Sequence, residues 1–246
     1  MNSYVPTASD ALRDYSGQQL QRSAFFSALR KGEIPIADLQ EVFGQYYLWR
    51  NQFHRWFGVC ITRSSPFSEN SDVNEVLHVL VDHISEEIDD DHHGKCVEFL
   101  RALGITDHAS IALLPTTADY NNSFIRRFCD SAVSPEEALA ALAGREMVAP
   151  PRNRIIIDAL KNHYDIERGL NFLSLHEELE LEHFNVLWNS TTKACLETTT
   201  RCLASACREI RLHVKFWDDT YSSVVNEGLP VTHLSSAIPL SKSSYG

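Results

Sequence analysis

Helical periodicity is the feature of this sequence that most limits its fold. Apolar residues recur at the three- and four-residue spacing of an amphipathic α-helix along most of the chain, whereas the alternation typical of a half-buried strand is scarce. Glycine, which weakens helices, occurs only 10 times in 246 residues. The pattern predicts an all-α fold: a single-domain bundle of seven or eight helices over residues 1–226, with a flexible C-terminal tail at 227–246.

Capping and breaking residues indicate where the helices begin and end. The clearest start is Ser134-Pro135-Glu136-Glu137, which supplies a serine cap, a proline at the first helical position and a glutamate three residues after the cap. That helix is expected to end near Pro150-Pro151. The full set of expected helices is 9–30, 36–62, 72–87 with a resumption through 97–101, 118–130, 134–150, 152–163, 166–188 and 191–224.

Charge and composition exclude several functional classes. The chain has 33 acidic against 22 basic side chains and a formal net charge of −11, so its surface repels a phosphate backbone and nucleic acid is not an expected partner. No apolar run approaches the roughly 18–20 residues that span a bilayer, and the first residues lack the pattern of a signal peptide. We therefore expect a cytoplasmic protein without a membrane partner. The six cysteines form no CxxC pair and are expected to be reduced.

The segment His176-x-x-x-Glu180-x-x-His183 carries the strongest signal for chemistry. At 100° per residue, the three side chains fall within an arc of about 60° on one face of a helix. Two imidazoles and one carboxylate on one face can bind a metal such as Fe(II), and the apolar neighbours Leu173 and Leu179 argue against simple solvation. A charged, solvated face remains the alternative, and it fits the other acids of this segment: Glu177, Glu178 and Glu182.

Two further positions carry acids or histidines in an unusual setting. The first is a short segment with paired carboxylates and paired imidazoles: Glu86, Glu87, His92 and His93. Its alternative interpretation is an acidic helix end with solvent-facing histidines. The second is Glu146, at the end of an apolar stretch of small residues, where a buried and unpaired carboxylate would be costly. Glu146 is therefore expected near the surface or paired inside the protein, and a metal would supply that pairing.

The order of these motifs resembles the haem-oxygenase-like di-iron oxidase superfamily. The similarity spans about residues 15–215 and includes three local contexts: His92–Gly104, ending in Phe-Leu-x-x-Leu-Gly; Ala138–Arg154, around Glu146; and the aromatic region around Tyr46. The resemblance implies two Fe(II) ions, O₂ as co-substrate, and these ligands: Glu87, His92, Glu146, His176, Glu180 and His183, with Glu86 and His93 as alternates. The superfamily usually has Asp at the position of Glu180, and the stretch before His92 is short by comparison.

The same resemblance implies a reaction and a substrate class. The expected enzyme is a non-haem di-iron oxidase or oxygenase that acts on an amino acid or an amino-acid-derived small molecule in specialised-metabolite biosynthesis. The reactions in question are N-oxygenation, C–C cleavage to an alkene or nitrile, desaturation and cyclisation. Candidate pocket residues are Tyr47, Phe53 and His54 on the aromatic segment, with Arg152 and Arg154 as candidates for holding a substrate carboxylate.

Three other classes stay open on the sequence alone. A ferritin-like di-iron protein would use Glu180-x-x-His183, although the second such unit is only imitated by Asp89-x-x-His92. A metal-free, thiaminase-like member of the same fold would need a nucleophilic cysteine, and none stands in a suggestive context. A non-catalytic helical binding protein is the third class. The sequence also leaves open a homodimer and an external electron donor as partners.

Overall fold

The computed structural model of the chain describes residues 7–63, 71–129, 132–191 and 196–227, and within these ranges it contains helices and no strand. The all-α prediction is confirmed. The described part of the chain has ten α-helices: α1 Ala8–Arg22, α2 Ala24–Arg30, α3 Ile36–Arg50, α4 Phe53–Arg63, α5 Ser71–Asp89, α6 His92–Ala102, α7 Pro115–Phe128, α8 Pro135–His163, α9 Asn171–Thr191 and α10 Leu196–Glu227. None of them is long and apolar enough to cross a membrane. Apart from Glu227, the expected tail lies outside the described residues.

Two helices that the sequence predicts as continuous are each divided into two. Ser23 separates α1 from α2, because its hydroxyl accepts the N–H of Phe26 at 3.2 Å and donates to Asp218 of α10 at 2.6 Å. A serine that bonds the backbone in this way competes with the continuing helix. Asn51 and Gln52 likewise form a turn between α3 and α4. Apolar periodicity continues across both breaks, so it did not predict either of them.

The helix end expected at Pro150-Pro151 was wrong, since α8 runs through both prolines to His163. A proline in a helix interior costs about 3 kcal/mol because it lacks an N–H and crowds the preceding turn. Helix α8 lies against both α9 and α10, and apolar residues beyond the prolines, such as Ile156 and Leu160, are fully buried. That packing outweighs the local cost. Because Pro150 has no N–H, the carbonyl oxygen of Glu146 does not receive the usual helical hydrogen bond from the residue four positions ahead.

Helix α8 is the central element of the fold, and every residue from 138 to 149 is buried. Its small residues allow close approach of α10. A Cβ atom built on Gly144 would lie 2.7 Å from the backbone oxygen of Ala206, which only a glycine avoids. This close packing places the two charged residues that follow, Arg145 and Glu146, in the middle of the protein, where they are 4% and 8% exposed.

Candidate metal centre

Glu87, His92 and His176 form the first of two adjacent ligand clusters, here called site A. Their ligand atoms all lie within 4.8 Å of one another. His92 Nδ1 is 3.1 Å from Glu87 Oε2, and His176 Nε2 is 3.5 Å from Glu87 Oε1. All three side chains are at least nine-tenths buried. Site A therefore joins residues of α5, α6 and α9.

A tight turn between α5 and α6 brings Glu87 and His92 together although they are five residues apart. Helix α5 ends at Asp89, and Asp91 adopts a left-handed conformation with φ 50° and ψ 44°. The Asp91 carboxylate then caps α6 by accepting the N–H of Gly94 at 3.0 Å. The short stretch between Glu87 and His92 is thus the turn that joins α5 to α6, and His92 is the first residue of α6.

His83, Glu146, Glu180 and His183 form the second cluster, here called site B. Their ligand atoms also lie within 4.8 Å of one another. His183 Nδ1 is 3.3 Å from Glu180 Oε2, and the rings of His83 and His183 are 3.7 Å apart between centroids. The site joins residues of α5, α8 and α9. His183 is its most accessible member, with 11% of its side chain exposed.

The two sites border one cavity. Its lining includes Glu87 and His176 of site A together with His83, Glu146 and Glu180 of site B. The structure therefore brings together all six residues that the resemblance implies as ligands, in two groups of three, and adds one more. Their role as metal ligands stays a prediction.

His83 is the cluster member that sequence reasoning missed. It lies on α5 one helical turn before Glu87, so the two side chains share a face of that helix. This i, i+4 spacing of a histidine and a glutamate was the available signal. The adjacent acids Glu86 and Glu87 are the more conspicuous candidate ligands in this segment.

The alternates Glu86 and His93 lie outside both clusters. The Glu86 side chain is 54% exposed, although its carboxylate bonds His183 Nε2 at 2.9 Å. His93 is exposed and faces Tyr47, with 6.0 Å between ring centroids. Consecutive helical residues point about 100° apart, so only one member of each pair turns inward. The structure favours Glu87 and His92 over their neighbours as ligands.

Glu146 and Glu180 titrate as a pair. Burial raises the pKa of Glu146 well above its usual value, and the negative Glu180 beside it raises it further. Burial acts on Glu180 in the same direction, but its hydrogen bonds with Glu146 and His183 hold the pKa of Glu180 below its usual range. Glu146 is therefore the protonated partner and donates to the Glu180 carboxylate.

The remaining titratable groups of the sites are also shifted. Burial, together with the adjacent His183, lowers the pKa of His83 to about 4. Burial opposes protonation of His183 as well, but its carboxylate partners Glu180 and Glu86 raise its pKa to about 9. Burial would raise the pKa of Glu87, yet the adjacent imidazoles of His176 and His92 hold it well below its usual value. The guanidinium of Arg50, which donates to Glu87, acts in the same direction.

The imidazole of His176 in site A is oriented as metal-ligating histidines commonly are. His176 Nδ1 lies 2.6 Å from the carbonyl oxygen of Phe172, so Nδ1 carries the hydrogen and the lone pair of Nε2 is directed elsewhere. Within the described residues, neither His176 Nε2 nor either ring nitrogen of His92 makes a hydrogen bond of acceptable geometry, although all three atoms are buried. Buried polar atoms are rarely left in this state, and imidazole nitrogens with carboxylates suit iron. The residues present therefore fit a metal.

Helices α5 and α9 also border a shallow surface groove beside site B, here called the acidic groove. It is lined by His83, His183, apolar residues and four acids: Asp82, Glu86, Asp90 and Glu182. Site A has no member in that lining. Glu87 of site A lines a different groove, together with Asn51 and His93.

The sequence-predicted pocket residues divide into two groups. Phe53 and Arg152 line the cavity. Tyr47, His54 and Arg154, which the sequence also suggested, do not line this cavity. Tyr47 packs against the rings of His93 and His108. His54 is exposed. Arg154 is 68% exposed and pairs with Glu177. Each of the three follows a cavity-lining residue by one or two positions on its helix, so its side chain points in a different direction from that neighbour.

Comparison with protein-family models shows which family the chain belongs to. Residues 40–218 match the family model described as iron-containing redox enzyme. The chain belongs to this iron-containing redox enzyme family. The family's name agrees with a site that fits iron, and the haem-oxygenase-like resemblance seen in the sequence is confirmed. No significant match was found among curated proteins.

Solved structures confirm the fold. A domain of unknown function with a haem oxygenase-like fold from Shewanella denitrificans has a TM-score of 0.71 at 14% identity, covering 89% of this chain and 94% of its own. A TenA homologue from Pseudomonas syringae gives 0.68 at 12% identity, with 90% and 99% covered. A CADD-like protein of unknown function from Nostoc punctiforme gives 0.67 at 16% identity, with 87% and 98% covered. At such identities the likeness establishes the haem-oxygenase-like fold alone.

Proposed function

We propose that this protein is a non-haem di-iron oxidase that uses O₂ to oxidise an amino acid or an amino-acid-derived small molecule. The observation that carries the proposal is the pairing of site A with site B, whose ligands are buried, on one cavity. Each site offers imidazole nitrogens and at least one carboxylate, which suits Fe(II). Membership of the iron-containing redox enzyme family supports the same metal.

Site A would hold one Fe(II) through Glu87, His92 and His176, and site B would hold the other through His83, Glu146, Glu180 and His183. When bound, the two ferrous ions supply the electrons that reduce O₂. The chain's own groups fix the ligands. Arg50 donates to Glu87, the Phe172 carbonyl orients His176, and Glu86 holds the outer nitrogen of His183. Such partners commonly matter about 10–100-fold for metal affinity.

The cavity lining also includes several aromatic side chains. They belong to α3 and α4: Tyr46, Trp49, Phe53, Trp56 and Phe57. Aromatic side chains exclude water from the reacting centre, which strengthens the electrostatic interactions of the charged ligands. The same side chains provide apolar contact for the carbon skeleton of a small substrate.

Two measurements test the proposal together. Protein loaded anaerobically with Fe(II) and then desalted should retain about two irons per chain. Consumption of O₂ should then depend on one member of an amino-acid panel, as followed by an oxygen electrode and stopped-flow absorbance. His93→Ala serves as a control, because His93 lies outside both sites. Iron retention near zero in the wild type overturns the proposal, and O₂ uptake independent of any added substrate indicates an iron store instead.

A thiaminase-like activity is disfavoured by the position of the cysteines. The fold is shared with TenA homologues, but none of the cysteines in the described residues lines the cavity. Burial raises the pKa of both Cys60 and Cys96 to about 12, which suppresses the nucleophilic thiolate. Cys195 lies outside the described residues. The cavity therefore offers metal-ligand chemistry rather than thiol chemistry.

A further inference from the structure

One wall of the cavity carries buried N–H donors that meet no acceptor among the described residues. The donor atoms are Nη1 and Nη2 of Arg145 and the indole Nε1 atoms of Trp49 and Trp56. All three residues line the cavity. Guanidinium and indole groups donate hydrogen bonds and never accept them. The complementary ligand group is therefore rich in acceptors.

Arg145 is held in place by its other contacts. Its Nε donates to Glu209 Oε1 of α10 at 2.7 Å, and its Cζ lies 3.7 Å from the ring centroid of Trp56. The guanidinium plane is thus fixed by a carboxylate on one edge and an indole against its face. Only the two Nη atoms remain to bind something else, and they belong to a side chain that is 4% exposed.

The charges around Glu209 leave one positive charge uncompensated. Arg127 and Arg145 both donate to this single carboxylate, which is fully buried. Two guanidinium groups therefore share one negative charge in a region of low dielectric constant. A buried charge without a partner is costly, so an anion beside Arg145 would be stabilised.

The other two arginines of the cavity are already bonded. Arg152 donates from Nε and Nη2 to Asn153 Oδ1, at 2.9 and 2.7 Å, and its Nη1 lies 2.9 Å from His213 Nε2. Arg50 donates to Glu87 of site A. Of the three arginines lining the cavity, Arg145 is thus the one with both Nη atoms lacking an acceptor in the described part of the chain.

We propose that Arg145 binds the carboxylate of the substrate through Nη1 and Nη2, with the indole N–H groups of Trp49 and Trp56 as further donors. A guanidinium edge matches a carboxylate with two parallel hydrogen bonds. The assigned ligand class is a small carboxylic acid, amino acids included. Because Arg145 lines the same cavity as Glu146 and Glu180 of site B, the bound carboxylate lies beside the metal ligands. As a statement about the oxidised substrate, the inference rests on the proposed function.

Binding of a simple carboxylate tests the proposal without any turnover. The probe is 4-methylpentanoate, and 4-methylpentanamide is its neutral counterpart of nearly the same shape. Calorimetric titration and saturation-transfer NMR would be run on metal-free protein and again with excess Zn(II), which is redox-inert. The variants are Arg145→Gln, Arg145→Lys and Arg127→Gln. Arg127→Gln is the matched control, because it removes the other guanidinium group bonded to Glu209 but Arg127 does not line the cavity.

The expected result is that wild type binds the acid in preference to the amide. Arg145→Gln should weaken binding of the acid by about 10–100-fold, as expected for loss of charged hydrogen bonds. Arg127→Gln should weaken binding of the acid less than Arg145→Gln does, because it removes one positive charge near the site but no hydrogen-bond donor from the cavity. If Arg145→Gln does not fold, Arg145→Lys is measured instead. A lysine ammonium cannot form the two parallel hydrogen bonds of a guanidinium, so binding of the acid should still weaken by about tenfold.

The proposal is overturned if wild type binds the acid in neither form, if it binds acid and amide equally, or if the Arg145 variants bind as wild type does. These outcomes are separate from iron retention and O₂ consumption. Loss of carboxylate binding with intact iron chemistry would refute this inference alone. Arg145-dependent binding without iron retention would refute the proposed oxidase and leave the carboxylate site standing.

Discussion

The carboxyl group of Glu146 on α8 donates a hydrogen bond to the carboxylate of Glu180 on α9. Two acids therefore meet inside the protein and are held together by one proton. In the metal-free protein this proton satisfies both side chains, which explains how the chain keeps such a pair buried. A bound cation would displace this proton.

The first prediction concerns protons released when metal binds. Ligands must be deprotonated, and Glu146, with its raised pKa, and His183, with a pKa of about 9, both hold a proton at pH 7. Metal uptake should therefore release protons, and affinity should rise as pH rises from 6 towards 9, by about tenfold per pH unit for each proton released. Zn(II) titrations in weak buffer with a pH indicator measure both effects.

Glu146→Gln provides the control for that titration, because a glutamine carries no proton to release. It should reduce the number of protons released by about one. Glu87 and His83 titrate at lower pH than usual and contribute no proton at pH 7. Affinity that falls as the pH rises would contradict the assignment of these groups as ligands.

The second prediction concerns His83, the residue that sequence reasoning missed. His83→Ala should lower iron retention from about two per chain to about one, because it removes a nitrogen donor from site B only. His78→Ala is the matched control, since His78 lies on the same helix but is exposed. Metal analysis after desalting, with circular dichroism to verify folding, gives the answer. Full iron retention in His83→Ala would remove His83 from the ligand set.

The third prediction separates the neighbours Glu86 and Glu87, and His92 and His93. Glu87→Ala and His92→Ala should abolish iron binding at site A and substrate-dependent O₂ uptake, because both side chains are buried within that cluster. His93→Ala should behave as wild type. Glu86→Ala should reduce affinity at site B by about tenfold, because it removes the outer partner of His183 rather than a ligand. An inactive His93→Ala paired with an active His92→Ala would reverse the assignment.

The sequence predicted the three candidate ligands on α9 from local geometry alone, because residues on one helix have a fixed angular relation. His176, Glu180 and His183 need only helical geometry to share a face. His83 and Arg145 were missed for the opposite reason. Their roles arise from contacts between helices, with α9 for His83 and with α4 and α10 for Arg145, and no local pattern encodes such contacts.

The fourth prediction concerns stability of the buried ion cluster. Glu209→Gln should lower the free energy of unfolding by about 3–5 kcal/mol, because it leaves Arg127 and Arg145 without their shared carboxylate. Glu177→Gln is the matched control. Its partner Arg154 is 68% exposed, so the loss should stay below about 1 kcal/mol. Urea unfolding measures both, and equal losses in the two variants would refute the argument.

The fifth prediction tests the close approach of α8 and α10. Gly144→Ala should destabilise the protein by about 1–3 kcal/mol, because its Cβ would meet the Ala206 backbone at 2.7 Å. Gly17→Ala on α1 should instead stabilise it by about 0.5–1 kcal/mol, since no atom lies within 4 Å and alanine favours helix. Thermal melts of both variants decide the matter. A neutral Gly144→Ala would show that the helices can move apart freely.

The limits of sequence reasoning about the fold have the same origin. Apolar periodicity identified the helices but did not predict the break at Ser23, which depends on Asp218 of a distant helix. Local propensity predicted an end at Pro150, and packing of α8 between α9 and α10 overrode it. In both cases the outcome was decided by a neighbour far away in the sequence.

The separate openings of the two sites have a kinetic consequence. Glu87 of site A lines a groove together with Asn51 and His93, whereas His183 of site B lines the acidic groove. A chelator in solution would therefore reach each ion through its own groove. Demetallation should occur in two phases with a half-loaded intermediate, because ligand sets of three and four residues release their ions at different rates.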